Sequence, residues 1–348
     1  LGFGLLDKKI DKGVYIIAEM SANHAGDLGK ALGIVRAAKE AGADCLKLQT
    51  YTADSLTIDC DEECFRVKDG LWDGYRLHDL YSKAAMPYKW QGTVKDECGK
   101  EDIDFLSTPF DEKGVDFLEG LGVEGYKIAS FELVHLPLIR YVARKGKPMV
   151  VSCGMGSEGE IGEAVDVILS EGLSKEQVIL LKCTSEYPAS FSDMNLLTIP
   201  DMIGRFGCRV GFSDHSPGSG ASVAAVALGA TVIEKHLCRD RADDSVDGGF
   251  SMEPDGFAAM ARDVRDAAAA RGCVKYGPTE GEKASAAFRR SIFAVEDIKE
   301  GERLTEKNVR VIRPGYGAHP RLYGEVIGKR AAVDLKKGTP LTERAWRT

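Results

Sequence analysis

Nothing in the 348 residues approaches the run of ~20 apolar positions needed to cross a bilayer, and no tract is of low complexity. No signal-peptide pattern is visible either, so the expectation is a cytoplasmic protein. Paired cysteines are missing: nine are scattered along the chain, an odd number, and only Cys60 and Cys64 sit close together. That spacing is half of a zinc site, with no second cysteine–histidine pair to complete it, and unpaired thiols fit a reducing compartment. A net charge of −8 argues against nucleic acid as the main partner. The chain has no GxSxG elbow, no P-loop, no dinucleotide fingerprint and no HxH pair of the kind found in metal-dependent amidohydrolases. Gly154-Met155-Gly156 is too short to count as a glycine-rich signal.

What is present has a rhythm. Strand-like runs begin near residues 14, 45, 104, 125, 148, 178, 209 and 231: VYIIAEM, CLKLQTY, DFLSTPF, GYKIAS, PMVVSCG, VILLKCTS, RVGFSDH and TVIEKHL. Amphipathic helix patterns separate them, and a last one, PDGFAAMARDVRDAAAA, follows from Pro254. Strand and helix alternating eight times is the sequence form of a (β/α)8 barrel, an α/β fold. One connection is long: a polar and aromatic stretch from Ala53 to Tyr81 after the second strand reads as an insertion capping the substrate end.

The alternation stops near residue 285. Beyond it DIKEGERLTE, from Asp297, recurs as DLKKGTPLTE, from Asp334, with six of ten positions identical, so two similar turn units in a small β-rich domain are expected. The expected division is a barrel over 1–284 and a second domain over 285–348. From Arg289 onward there are 14 Lys+Arg against 8 Asp+Glu, leaving a basic tail on an acidic body. Such a tail fits an acidic surface or an anionic substrate.

In such barrels the chemistry sits at the C-terminal strand ends. Every proposed end is polar: Glu19 with Asn23 and His24; Lys47 and Gln49; Ser107 and Thr108; Lys127, Ser130 and Glu132; Ser152; Thr184 and Ser185; Ser213 to His215; Glu234 to His236. Residues two apart on a strand share a face, which pairs Lys47 with Gln49, Ser213 with His215 and Glu234 with His236. Two strand lysines, Lys47 and Lys127, need counter-charges, and with several hydroxyls they would make a site for phosphate or carboxylate. His215 and His236 end neighbouring strands, and two converging imidazoles suit a divalent transition ion such as Mn2+ acting as a Lewis acid. A carboxylate, Glu19 or Glu132, would move protons.

The segments AEMSANHAGDLGKAL, GADCLKLQTYTADSLT, LSTPFDE, YKIASFE, LKCTSEYPA, GFSDHS and IEKHL resemble the sialic acid synthase family of nonulosonic acid synthases. The tail, with RPGYGAH before its second repeat unit, resembles that family's antifreeze-like (SAF) domain, and GLWDGYRLHDLY, STPFDEKGVDFLE, DMNLLTIP and RPGYGAHPR resemble its pseudaminic acid branch. The resemblance implies condensation of phosphoenolpyruvate with the open-chain aldehyde of an N-acetylated amino sugar, here 2,4-diacetamido-2,4,6-trideoxy-L-altrose. By motif match, Lys47, Thr108, Lys127, Ser130, Ser152, Ser185 and Ser213 would hold phosphoenolpyruvate, and His215 and His236 would hold Mn2+, with Mg2+ or Co2+ as alternatives. Gln49, Glu132, Tyr187 and Asp247 would meet the sugar, and Glu19 would stabilise the cation or handle the proton of the attacking water, with Glu132 as its rival. Arg313 matches the position that reaches the partner subunit's active site, which implies a domain-swapped homodimer. Ser185 stands where the sialic acid synthases have asparagine. Trp72 and Tyr75, in the insertion, suit a sugar with more apolar surface than N-acetylmannosamine. Open alternatives are a legionaminic or sialic acid synthase, an aldol synthase acting on a sugar phosphate, and a non-catalytic carbohydrate- or ice-binding protein.

Overall fold

The structure is a computed structural model in which residues 13–347 are described. It divides into two compact units, the first ending at Gly272 and the second beginning at Cys273. The first contains β1 (Tyr15–Glu19), β2 (Cys45–Thr50), β3 (Asp104–Pro109), β4 (Tyr126–Ile128), β5 (Met149–Ser152), β6 (Val178–Cys183), β7 (Arg209–Asp214) and β8 (Val232–His236). The sheet runs β3-β2-β1-β8-β7-β6-β5-β4 with parallel neighbours, and β3 and β4 lie side by side at the seam without a ladder of their own. The eight strands fall where the sequence places them. Between and after them lie α1 (Leu28–Glu40), α2 (Tyr88–Lys100), α3 (Glu112–Gly120), α4 (Leu136–Ala143), α5 (Glu158–Ser170), α6 (Thr198–Phe206), α7 (Gly220–Ala227) and α8 (Pro254–Arg271). Their starts are chemically marked: Asp27 accepts from the Lys30 amide, Asp111 from the Gly114 amide, and Ser157 with Glu160 forms a capping box.

Strand periodicity sorts each strand into two faces. Ile16, Ala18, Leu46, Leu48, Tyr126, Ile128, Val151, Leu180, Val210, Phe212 and Ile233 point outward into the apolar layer shared with the helices. The alternate positions Tyr15, Ile17, Cys45, Leu106, Val150, Ile179, Leu181 and Val232 pack together as the barrel's inner core. Continuing those inward rows by two residues gives Glu19, Lys47, Thr108, Ser152, Cys183 and Glu234, so the interior switches from apolar to polar partway along the strands.

Gly211 on β7 occupies an inward position where space is short. A Cβ there would lie 2.5 Å from the Val232 carbonyl oxygen and 2.6 Å from Leu181 Cδ2. Close approach of β8, not an unusual backbone angle, requires the glycine.

The insertion after β2 is folded. It holds short helices at Ala53–Leu56 and Leu77–Ala84 joined by a turn in which the Val67 amide donates to Tyr75. Arg76 ties it together, with both carboxylate oxygens of Asp79 at 2.7 and 2.8 Å, Asp59 at 2.8 Å and Asp61 at 3.1 Å.

The second unit is built on an internal pseudo-dyad. Its two repeat segments pair with each other: Ile298 and Leu335 exchange both backbone hydrogen bonds at 2.8 Å. Asp297 accepts from the Lys337 amide, and the equivalent Asp334 accepts from the Glu300 amide. The shared glycines, Gly301 and Gly338, take φ of 79° and 90° at matching turns. With β9 (Ser291–Ala294) antiparallel to β10 (Val309–Ile312), these turns enclose a core of Ile292, Ile298, Leu304, Val309, Val326, Leu335 and Leu341. No helix among the described residues is long and apolar enough to cross a membrane.

Gly211→Ala is expected to destabilise the barrel by about 1–3 kcal/mol, the range for overpacking a filled interior. A urea midpoint equal to that of the unsubstituted protein would contradict this account of the β7–β8 contact.

Candidate active site

The polar ends of the inward rows line a cavity of about 780 Å3 at the C-terminal mouth of the barrel. Lys47 Nζ lies 2.9 Å from Glu19 Oε2 and 3.5 Å from Glu234 Oε1, and Lys127 Nζ lies 3.7 Å from that same Glu234 oxygen. Ser213 donates to Glu234 at 3.2 Å, and Gln49 donates to Glu19 at 2.8 Å. All four charged groups are buried. Burial pulls Lys47 down, yet Glu19 and Glu234 outweigh it and hold its ammonium above the usual lysine range. Lys127 has less compensation, and burial leaves it lowered. Burial raises Glu19, while for Glu234 the opposing pull of Lys127, Lys47 and His215 wins and lowers it. The counter-charges that the strand lysines need are therefore Glu19 and Glu234. Glu234 was visible among the polar strand ends but had no role assigned to it.

Next to this cluster is a hydroxyl cradle. Ser130 Oγ accepts from the Gly154 amide at 3.0 Å, and Ser152 Oγ is buried without a hydrogen-bond partner among the described residues. A Cβ on Gly154 would fall 2.2 Å from Ser185 Oγ and 2.7 Å from Ser130 Oγ. Glycine at 154 is what lets the two serines close on one another. The short Gly154-Met155-Gly156 stretch thus matters through what it leaves open, a property that its length does not advertise.

GFSDHS, which closes β7, splits its work between two faces. Ser213 and His215 line the cavity. Asp214 turns the other way, into a buried network in which it accepts from the Ser216 amide and hydroxyl, from Ser222 and from Lys235 Nζ at 3.0 Å. Lys235 also donates to the Ser216 carbonyl at 2.5 Å. Each partner is multiply bonded, the condition under which a buried ion pair holds geometry without leaving an orphaned charge.

His215 and His236 meet with ring centroids 5.4 Å apart. His215 Nδ1 lies 2.8 Å from the Thr184 carbonyl, so that nitrogen carries a proton and Nε2 is the ring nitrogen left for a ligand. His236 Nδ1 is buried with no hydrogen-bond partner among the described residues. An oriented imidazole beside an unsatisfied one is a donor set that fits a divalent ion. No group of three or more His, Cys, Asp or Glu side chains is arranged for a metal among the described residues, so the remaining ligands would come from substrate or water.

Of the other expected residues, Gln49, Glu132, Tyr187 and Asp247 line the same cavity. Glu132 is pushed up to about 7 by burial, partly offset by Lys127, and its Oε2 has no hydrogen-bond partner. Asp247 accepts from the Ala22 amide at 3.2 Å, which joins the loop after β8 to the turn after β1. Thr108 does not line the cavity; it stands behind Lys47, 3.5 Å from Nζ. Tyr75 is exposed and outside the lining, whereas Trp72 belongs to it. Arg313 is exposed in the second unit, directly after β10. Phe250 and Cys183 are lining residues that the sequence reading left out. Cys183 is buried beside His215, with Sγ 3.8 Å from Nδ1.

A barrel whose mouth combines buried lysines, a hydroxyl cradle and paired histidines has the form of a carbon–carbon bond-forming synthase. The chain belongs to the NeuB family, whose model matches residues 34–276, and a SAF domain model matches residues 289–344. It is 44% identical over 337 residues to a pseudaminic acid synthase of Campylobacter jejuni, covering 97% of this chain and 98% of that protein. An N,N'-diacetyllegionaminic acid synthase of Legionella pneumophila is 34% identical, covering 94% of this chain and 93% of that protein. Among solved structures, the N-acetylneuraminic acid synthetase of Leptospira borgpetersenii matches with a TM-score of 0.70 at 32% identity, covering 78% of this chain and 90% of that one.

Glu132 yields a pH prediction. With its carboxyl raised from 4.5 to about 7 in the folded protein, the folded state holds a proton that the unfolded state has lost, so stability falls as pH rises through that window. Above pH 7 the cost is about 3 kcal/mol. Glu132→Gln should therefore stabilise the protein by about 1–3 kcal/mol at pH 8 and change little at pH 4. Equal urea midpoints at pH 8 would refute the assignment.

Proposed function

We propose that this chain condenses phosphoenolpyruvate with the open-chain aldehyde of 2,4-diacetamido-2,4,6-trideoxy-L-altrose, giving pseudaminic acid and phosphate in the cytoplasm. The observation that carries this reading is the convergence of Lys47, Lys127, the serine cradle, His215 and His236 on one cavity. The similarity to pseudaminic acid synthases over nearly the whole chain supports the choice of sugar over a legionaminic or sialic precursor.

In this reading Lys47, Lys127, Ser130, Ser152, Ser185 and Ser213 bind phosphoenolpyruvate, with Thr108 supporting Lys47 from behind. The two lysines now face Glu19 and Glu234, and an arriving phosphate and carboxylate would exchange partners with them, so no ammonium is left without a counter-charge. His215 and His236 would hold a divalent ion, Mn2+ before Mg2+ or Co2+, which when bound polarises the aldehyde oxygen. Gln49 and Asp247 orient the sugar.

C3 of phosphoenolpyruvate attacks the aldehyde carbon, whose oxygen takes up a proton to become a hydroxyl. C2 becomes cationic and adds water, which loses one proton. The C2 hydroxyl so formed gives its remaining proton to the leaving phosphate as the bond from C2 to the bridging phosphate oxygen breaks, leaving a ketone at C2. The two glutamates divide the remaining work. Glu19, released by Lys47 and still held by Gln49, supplies negative charge near the cationic carbon. Glu132, with a free oxygen and a pKa of about 7, accepts the proton of the attacking water. Its ionised form is the base, so kcat/KM should rise with pH through about 7.

A homodimer would complete the site, with Arg313 of the partner subunit reaching the sugar. Phe131, Leu71 and Met155, on loops beyond the strand ends, are exposed large hydrophobic residues, as expected of a surface that a second subunit covers.

The primary test is phosphate release from phosphoenolpyruvate with Mn2+, offering the diacetamido-altrose, its legionaminic-type counterpart and N-acetylmannosamine in parallel. Release with the altrose sugar is expected; release only with another sugar overturns the substrate, and release with none overturns the reaction. Lys47→Met should lower kcat/KM by about 100-fold or more. For the dimer, mixing Lys47→Met with Arg313→Ala should restore turnover that neither variant shows alone. Failure of the mixture to recover activity argues that each subunit acts by itself.

A further inference from the structure

The cavity is chemically lopsided. Its floor holds the lysine–glutamate cluster, and one side carries Gln49, Ser21 and Asp247, with Gln49 donating to Ser21 at 2.9 Å. The opposite character is found beyond the histidines. Tyr187 stacks on His215 at 4.3 Å between centroids, Phe250 packs on His236 at 4.9 Å, and the two rings lie 5.0 Å apart. Trp72, from the tip of the insertion, touches both, at 5.9 Å from Tyr187 and 6.2 Å from Phe250. Its indole N–H donates to the Val246 carbonyl at 3.1 Å, next to Asp247. The insertion and the loop after β8 are thereby latched over the cavity, and the latch presents a ring.

We propose that Trp72, held in place by Tyr187 and Phe250, forms a specificity wall that receives the deoxygenated C6 end of the sugar and disfavours a hydroxyl there. This rests on the sugar-condensing reading of the site. The physical argument is one of matching. The amide and hydroxyl groups of an amino sugar find donors and acceptors on the Gln49–Asp247 side, whereas a hydroxyl set against the indole face of Trp72, whose N–H is already given to Val246, loses its water without gaining a partner. A methyl in the same place is buried favourably. Apolar pockets discriminate modestly against an added hydroxyl, by roughly 10- to 100-fold in kcat/KM, so that is the size of preference expected. Trp72 is the member of the wall best suited to a test, because it sits at a loop tip and its removal leaves the barrel interior untouched.

The decisive experiment compares two sugars differing only at C6: the 2,4-diacetamido-2,4,6-trideoxy aldehyde and its 6-hydroxy counterpart. The ratio of their kcat/KM values is measured in the unsubstituted protein, in Trp72→Ala and in Trp72→Phe. The unsubstituted protein should favour the 6-deoxy sugar roughly 10- to 100-fold. Trp72→Ala should bring the ratio to within about 3-fold of unity while leaving the KM for phosphoenolpyruvate within about 2-fold, a split that general loss of structure would not produce. Trp72→Phe keeps a ring but loses the N–H, and should retain most of the preference. A Trp72→Ala ratio equal to that of the unsubstituted protein overturns the inference. If the protein instead consumes a sugar of different stereochemistry, the substrate reading fails by itself, and the same ratio on the C6 pair of the accepted sugar still decides the role of Trp72.

Discussion

Two buried lysines and two buried glutamates at the end of the inner barrel impose the constraint around which the mouth is built. Any one of these charges alone would be prohibitively costly to desolvate, and together they leave no net charge. They come from β1, β2, β4 and β8, so the cluster ties strands that are distant in sequence. On the proposed reading its members are also exchangeable, an anion bringing its own negative charge taking over a lysine from a glutamate, so the arrangement that makes the buried charges tolerable also suits an anionic substrate.

The β7 end shows how a rigid site is assembled from alternation alone. Ser213 and His215 face the cavity, and Asp214 and Ser216, one residue out of phase, anchor the turn through Ser222 and Lys235. Lys235 in turn alternates with Glu234 and His236, which face inward. Two adjacent strands thus carry the cavity-lining groups on one face and their supports on the other. A one-residue slip would invert both sets, so the register of β7 with β8, Ser213 opposite Glu234 and Asp214 opposite Lys235, is specified by charge as well as by packing.

Much of this was legible beforehand. The eight strands are β-branched or apolar runs with polar ends, and period-two spacing placed Lys47 with Gln49 and Glu234 with His236. Where reading failed, the missing information was three-dimensional. Glu234 looks like one more polar strand end until Lys47 and Lys127, from other strands, are seen to share its Oε1. Gly154 matters because Ser130 and Ser185 approach it from two different loops, a coincidence that no local pattern encodes. Thr108 reads as a contact by motif match and Tyr75 by residue type, yet one stands behind Lys47 and the other outside the cavity. The tail repeat announced two turn units; that Asp297 and Asp334 cap each other's turn required the fold.

The depth of a residue in the mouth also governs how freely it can change. A side chain in the inner barrel touches several strands at once, so altering Lys47 or Lys127 disturbs the whole charged floor. The aromatic wall is different. Trp72 is held by one hydrogen bond and two ring contacts, on a strap whose own folding depends on Arg76 and three aspartates at the surface. Ion pairs so exposed are worth little individually, but four of its hydrogen bonds converge on one guanidinium and fix the strap's shape independently of what its tip carries. On the proposed reading, chemistry is fixed by the strands while recognition rests on a surface loop, so the aromatic wall could be rebuilt for a different sugar without moving the lysines, the serines or the histidines.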